Sequence, residues 1–121
     1  MKSVIVDTSS ILFGLSKGFD TFQRLKEEFP ACRICIPSGV IRELRKFAKG
    51  KKKESKYANV ALALLKKHNI VIVRGNEYVD TWIVKHAAKY AIVCTNDLAL
   101  KRRLKSRNLM AVSILMNGSF R

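Results

Sequence analysis

SVIVDTSS, residues 3–10, sets a short apolar run directly against an acid. Ser3 to Val6 is nearly all apolar and β-branched and too short for a helix, so it predicts a buried strand. Asp7 ends that strand, and three hydroxyl residues follow. A carboxylate at the lip of a buried strand is either the N-terminal cap of the next helix or a ligand aimed into a site.

Downstream the same alternation continues. Ser10–Lys17 predicts a short helix closed by Gly18, and Asp20–Glu28 a second with Asp20 as its N-cap and Pro30 as its stop. Arg33–Ile36 is the second predicted strand. Pro37-Ser38-Gly39 opens a helix reaching about Lys49, whose apolar stripe is Val40, Ile41, Leu44, Phe47 and Ala48. A further helix from Glu54 stops near His68-Asn69, and the strand Ile70–Val73 turns at Arg74-Gly75-Asn76. Helix Glu77–Tyr90, strand Ala91–Cys94, helix Asp97–Ser106 and strand Ala111–Leu115 complete the pattern, and the tail Met116–Arg121 carries no signal. Short apolar strands alternating with helices predict an α/β domain, with a mostly parallel sheet and helices on both faces.

At 121 residues the chain is long enough for a single domain over residues 1–121, with a core that needs neither disulfides nor a structural metal. No secretory pattern or membrane-length apolar run occurs, and three cysteines, an odd number, fit a reducing, cytoplasmic setting. Cys32 and Cys35 form a C-x-x-C, but residues three apart on a strand point to opposite faces, and no second pair completes a zinc site. The excess of 24 Lys and Arg over 9 Asp and Glu, a net charge of +15, suggests a polyanionic partner, nucleic acid ahead of membrane. It also makes the position of each acid informative.

Four acids stand out. Glu43 falls at the margin of its helix's apolar stripe, beside Phe47, while Arg42, Arg45, Lys46 and Lys49 take the outward face. It is either a surface partner of Lys46 or a site residue. Asp80 lies on the inner flank of its helix, as a first-turn acid favoured by the helix dipole or as a second site residue. Asp7 and Asp97 both follow strands, and each has capping as its simple explanation. If their strands are neighbours where the strand order reverses, both face one crevice. Carboxylates converging there would repel one another unless a cation neutralised them. Oxygen ligands without clustered His or Cys select hard ions such as Mg2+ or Mn2+, which activate water for in-line displacement at a phosphodiester. The chemistry suggested is hydrolysis of nucleic acid.

Over essentially its whole length the chain resembles the PIN-domain nucleases. The resemblance rests on VDTSS with Asp7, VIREL with Glu43, VDTWIV with Asp80 and TNDLALKRRL with Asp97, four motifs in order. It implies a three-layer α/β/α fold with a five-stranded parallel sheet of order 3-2-1-4-5. It also implies that Asp7, Glu43, Asp80 and Asp97 bind one or two Mg2+ or Mn2+ ions and cleave single-stranded RNA, with hydroxyl support from Ser9 and Thr95. TNDLALKRRLK is most similar to archaeal relatives of the branch that processes small-subunit ribosomal RNA. Two positions depart from that branch: Val79, not a second acid, precedes Asp80, and Ala99 stands two after Asp97. A second metal is then bound weakly or not at all.

Basic residues cluster at Arg42–Lys56 and Lys101–Arg107. With few acids nearby to pair them, Arg42, Arg45, Lys46, Lys49, Lys51, Lys52, Lys53, Lys101, Arg102 and Arg103 are candidates for phosphate contact, against the simpler reading of a solvated helix face. Tyr57, Trp82 and Phe120 are better explained by packing than by base stacking. Two rival functions share the same acids: a toxin-type nuclease held by an antitoxin, and an RNA-binding scaffold without catalysis. A homodimer is compatible with each. A nucleotide-binding reading lacks any Gly-rich phosphate loop.

Overall fold

The computed structural model describes residues 2–121. Its elements in chain order are β1 (Ser3–Val6), α1 (Thr8–Ser16), α2 (Thr21–Glu28), β2 (Arg33–Pro37), α3 (Ser38–Ala48) and α4 (Lys53–Lys67), then β3 (Val71–Val73), α5 (Val79–His86), β4 (Ile92–Cys94), α6 (Leu98–Ser106) and β5 (Ala111–Val112). The five strands form one sheet of order β3-β2-β1-β4-β5, parallel at every pairing. The α/β/α layering and the strand order expected from the resemblance are therefore present.

Val4, Ile5 and Val6 are wholly buried because β1 lies at the centre of the sheet, with helices covering both faces. Val6 stands opposite Cys94 in the β1–β4 register. The residues that follow these two strands therefore emerge side by side, at the point where the strand order reverses and open parallel sheets place their sites.

Several details differ from the sequence-based expectation. Helix α1 begins at Thr8 rather than Ser10, so Asp7 occupies its N-cap position. Helix α5 ends at His86 and passes through a 3-10 turn over Ala87–Lys89, because Ala91 must donate to the Ser3 carbonyl (2.9 Å) to enter the sheet. Strand β5 stops at Val112, since Ser113 exchanges hydrogen bonds with Arg121 (3.2 and 3.0 Å) and an antiparallel bridge joins Ile114 to Phe120. The tail that carried no signal thus folds back on the end of β5. Phe47, expected in the buried stripe of α3, is 39% exposed, because it lies in the last turn of that helix.

Candidate active site

Asp7 sits at the N-cap position of α1, yet its side chain makes no capping hydrogen bond. Instead Oδ2 accepts from Ser9 Oγ (2.6 Å) and Thr95 Oγ1 (2.7 Å), and the backbone amide donates to the Cys94 carbonyl (2.9 Å). The residue is 7% exposed. Burial pushes its carboxyl above the usual aspartate range; the Ser9 and Thr95 hydroxyls oppose that rise, and the Asp97 charge adds to it.

Glu43 reaches the same place from α3. Its Oε1 accepts from Thr8 Oγ1 (2.6 Å), and among the described residues it forms no ion pair with Lys46. Burial also raises the Glu43 carboxyl, against the Thr8 hydrogen bond, and the charges of Asp7 and Asp80 raise it further while Arg42 lowers it. Asp97 does cap: Oδ1 accepts from the Leu100 amide of α6 (3.1 Å), while its own amide donates to Thr95 Oγ1 (3.1 Å). Asp80 lies exposed in the first turn of α5, accepting from the Thr81 amide (2.8 Å), with Arg103 Nη1 at 3.8 Å.

Asp7, Glu43 and Asp97 make no ion pair among the described residues. Carboxylates that raise one another's protonation, with Arg42 only partly offsetting this at Glu43, have the chemistry of an oxygen-ligand site for a hard divalent ion. The arrangement is open, however. Among the described residues no group of three or more His, Cys, Asp or Glu side chains is placed to hold a metal ion. What links the acids is charge, felt in pairs: Asp97 raises Asp7, and Asp7 and Asp80 raise Glu43.

Asn96 escaped the sequence analysis although it ties these loops together. Its Oδ1 accepts from Ser10 Oγ (2.7 Å) and the Ile114 amide (3.1 Å), its Nδ2 donates to the Ile114 carbonyl (2.9 Å), and its amide donates to Ser9 Oγ (2.9 Å). The β1–α1 loop, the β4–α6 loop and the end of β5 are thereby locked in one network around Asp7. Its only sequence signal is a position between two candidate residues. Cys94 lies beneath, its thiol pushed up to about 12 by burial, and Cys32 and Cys35 are also free thiols.

A sequence profile described as a PIN like domain matches residues 4–116. The chain belongs to this family. Among curated proteins none matches the sequence. The PIN-like domain is similar to the solved PIN domain endonuclease Utp24 at 26% identity and a TM-score of 0.79, over 98% of this chain and 89% of that one. It is similar to a domain of a functionally unknown protein from Methanocaldococcus jannaschii at 22% identity and a TM-score of 0.66, over 92% and 89%. It is also similar to VapBC-1 from nontypeable Haemophilus influenzae at 16% identity and a TM-score of 0.60, over 89% and 95%. At those lower identities the last two show the fold alone. Membership of this superfamily supports nuclease activity in general.

The basic candidates divide. Arg45, Lys46, Lys49, Lys51, Lys52, Lys53, Arg102 and Arg103 are exposed, and so is Arg42, which also donates to the Gly75 carbonyl (3.1 Å). Lys101 differs: half-buried, its Nζ donates to Ser113 Oγ (2.9 Å) and the Arg121 carbonyl (2.7 Å), leaving little of it for a phosphate. No helix among the described residues is long and apolar enough to cross a membrane.

Proposed function

We propose that this PIN-like chain is a metal-dependent endoribonuclease that hydrolyses phosphodiester bonds of single-stranded RNA. The observation that carries the reading is the buried, unpaired Asp7 carboxylate, held by two hydroxyls at the strand-order reversal and coupled to the charges of Asp97 and Glu43. Asp7, Glu43, Asp80 and Asp97 would hold Mg2+ or Mn2+, which when bound supplies an activated water and offsets the charge that builds on the phosphate. The protein's own groups do the rest. Ser9 and Thr95 keep Asp7 Oδ2 oriented, Thr8 orients Glu43, and the exposed basic residues of α3, the α3–α4 loop and α6 hold the RNA backbone.

Ribosomal-RNA processing is the role we favour over a toxin's, with precursor ribosomal RNA as substrate. Its support is the TNDLALKRRL motif, together with a higher TM-score against the Utp24 endonuclease, 0.79, than against VapBC-1, 0.60. The open arrangement of the acids favours a second reading, an RNA-binding scaffold without catalysis.

Incubating the purified protein with single-stranded RNA and Mn2+ or Mg2+ tests these readings. Metal-dependent cutting is expected, abolished by Asp7→Asn or Asp97→Asn with RNA binding kept. Cutting that needs no metal, or that survives both substitutions, refutes the proposal. Salt-sensitive binding without any cutting establishes the scaffold instead.

A further inference from the structure

Beside Glu43 the surface opens into a cleft of about 750 Å3, whose walls include Arg42, Glu43, Lys46, Phe47 and Tyr78. That size is ordinary for a small-ligand site. Its two rings are the unusual feature. Tyr78, which precedes α5, is 85% exposed, and Phe47 is 39% exposed. Other large aromatics are used for packing: Trp82 is buried and packs on His86, with ring centroids 4.5 Å apart, and Phe120 packs on Phe29 at 6.1 Å.

Helix α3 lays out the rest of the cleft through its own periodicity. Glu43 and Phe47 are four residues apart, and so are Arg42 and Lys46, so each pair shares a face of the helix and the two rows run side by side. One row carries a carboxylate and a ring, the other two cations. Glu77, the other acid of the cleft, already faces Lys85 at 3.5 Å. A wall that sets a row of cations beside aromatic faces suits a strand of bases and phosphates, because every base has a π-face and every linkage a negative charge.

We propose that this cleft is a nucleobase-stacking subsite for single-stranded RNA, with Tyr78 and Phe47 supplying the faces and Arg42 and Lys46 holding the adjoining phosphates. Its position next to Glu43 gives it meaning under the ribonuclease reading, on which this inference rests, since a strand seated there lies beside one of the proposed site acids. Stacking tolerates any base, so the subsite holds unpaired strands and excludes duplex, whose bases are already stacked.

The test is binding of a fluorescently labelled single-stranded RNA by anisotropy, in chelator so that affinity is read without cleavage. Tyr78→Ala and Phe47→Ala should each weaken binding by roughly 5- to 150-fold, the range set by the loss of one stacked base. Tyr78→Phe should restore it, and Met110→Ala, at the amino end of β5, should leave it unchanged. The salt slope should stay put in the ring variants and fall by about 0.7 per lost phosphate contact in Arg42→Gln or Lys46→Gln. An oligonucleotide made abasic throughout should bind wild type and Tyr78→Ala alike. Tyr78 is nearly all exposed, so its loss does not threaten the fold. Unchanged affinity in both alanine variants, or a Tyr78→Ala defect that persists in full on abasic RNA, overturns the subsite. Ring-dependent binding without cleavage in Mn2+ would overturn the ribonuclease reading and leave the subsite standing.

Discussion

Replacing Thr95 by valine removes one hydroxyl at a wholly buried position and keeps the β-branched shape. That hydroxyl donates to Asp7 Oδ2 at 2.7 Å and accepts from the Asp97 amide at 3.1 Å. A hydrogen bond to an ionised group is worth about 1.5–3 kcal/mol and an ordinary one about 1, and losses within one network do not simply add. Thr95→Val should therefore cost roughly 2–4 kcal/mol near neutral pH, a fall in Tm on the order of 10 °C. The cost should depend on pH in a defined direction. Thr95 lowers the Asp7 carboxyl, so its loss lets burial raise that carboxyl further. A raised folded value means that stability is full below the ordinary aspartate range and is lost as pH rises through the folded value. The variant's deficit should thus be largest near pH ~7 and shrink toward pH ~4. Urea unfolding of wild type and variant along that series measures it. A deficit below ~0.5 kcal/mol, or one that stays constant with pH, would refute the claim that Thr95 supports an ionised Asp7.

The remaining expectations concern its neighbours. Asn96→Ala breaks three side-chain hydrogen bonds, to Ser10, the Ile114 amide and the Ile114 carbonyl, and should cost roughly 2–4 kcal/mol in urea unfolding. Asp7→Asn removes a carboxylate whose ionisation burial disfavours, so the metal-free variant should melt above wild type at neutral pH and lose its pH-dependent deficit. Mn2+ should raise the melting temperature of wild type alone, by linkage of about 2.7 kcal/mol at a hundredfold excess over Kd. Lys101→Met should lower stability by roughly 1–3 kcal/mol through Ser113 and the Arg121 carbonyl, with almost no change in the salt slope of RNA binding. Arg102→Gln, on the exposed face of α6, should do the reverse.

Asp7 and Asp97 show how far the sequence reached. Both were visible as acids between a strand and a helix, and both had the same two explanations. Spacing could not separate them, because the choice depends on what the opposite loop presents. Asp7 meets Thr95 of the β4–α6 loop, 88 residues away, and gives up capping; Asp97 meets the start of its own helix and keeps it. The basic run of α6 was equally legible, but the return of the tail draws Lys101 into a structural contact that no local pattern records.

Local sequence was enough to show most of the elements and the layering and to single out four acids, since apolar period, Gly and Pro stops and acid positions are local properties of the chain. Tertiary structure decided which hydroxyls hold Asp7, that Asn96 locks the loops around it, and that Phe47 and Tyr78 stay uncovered. Helical periodicity says which face of α3 is apolar. Whether anything covers the last turn of that face depends on where a distant element ends, and here the face remains open beside Glu43.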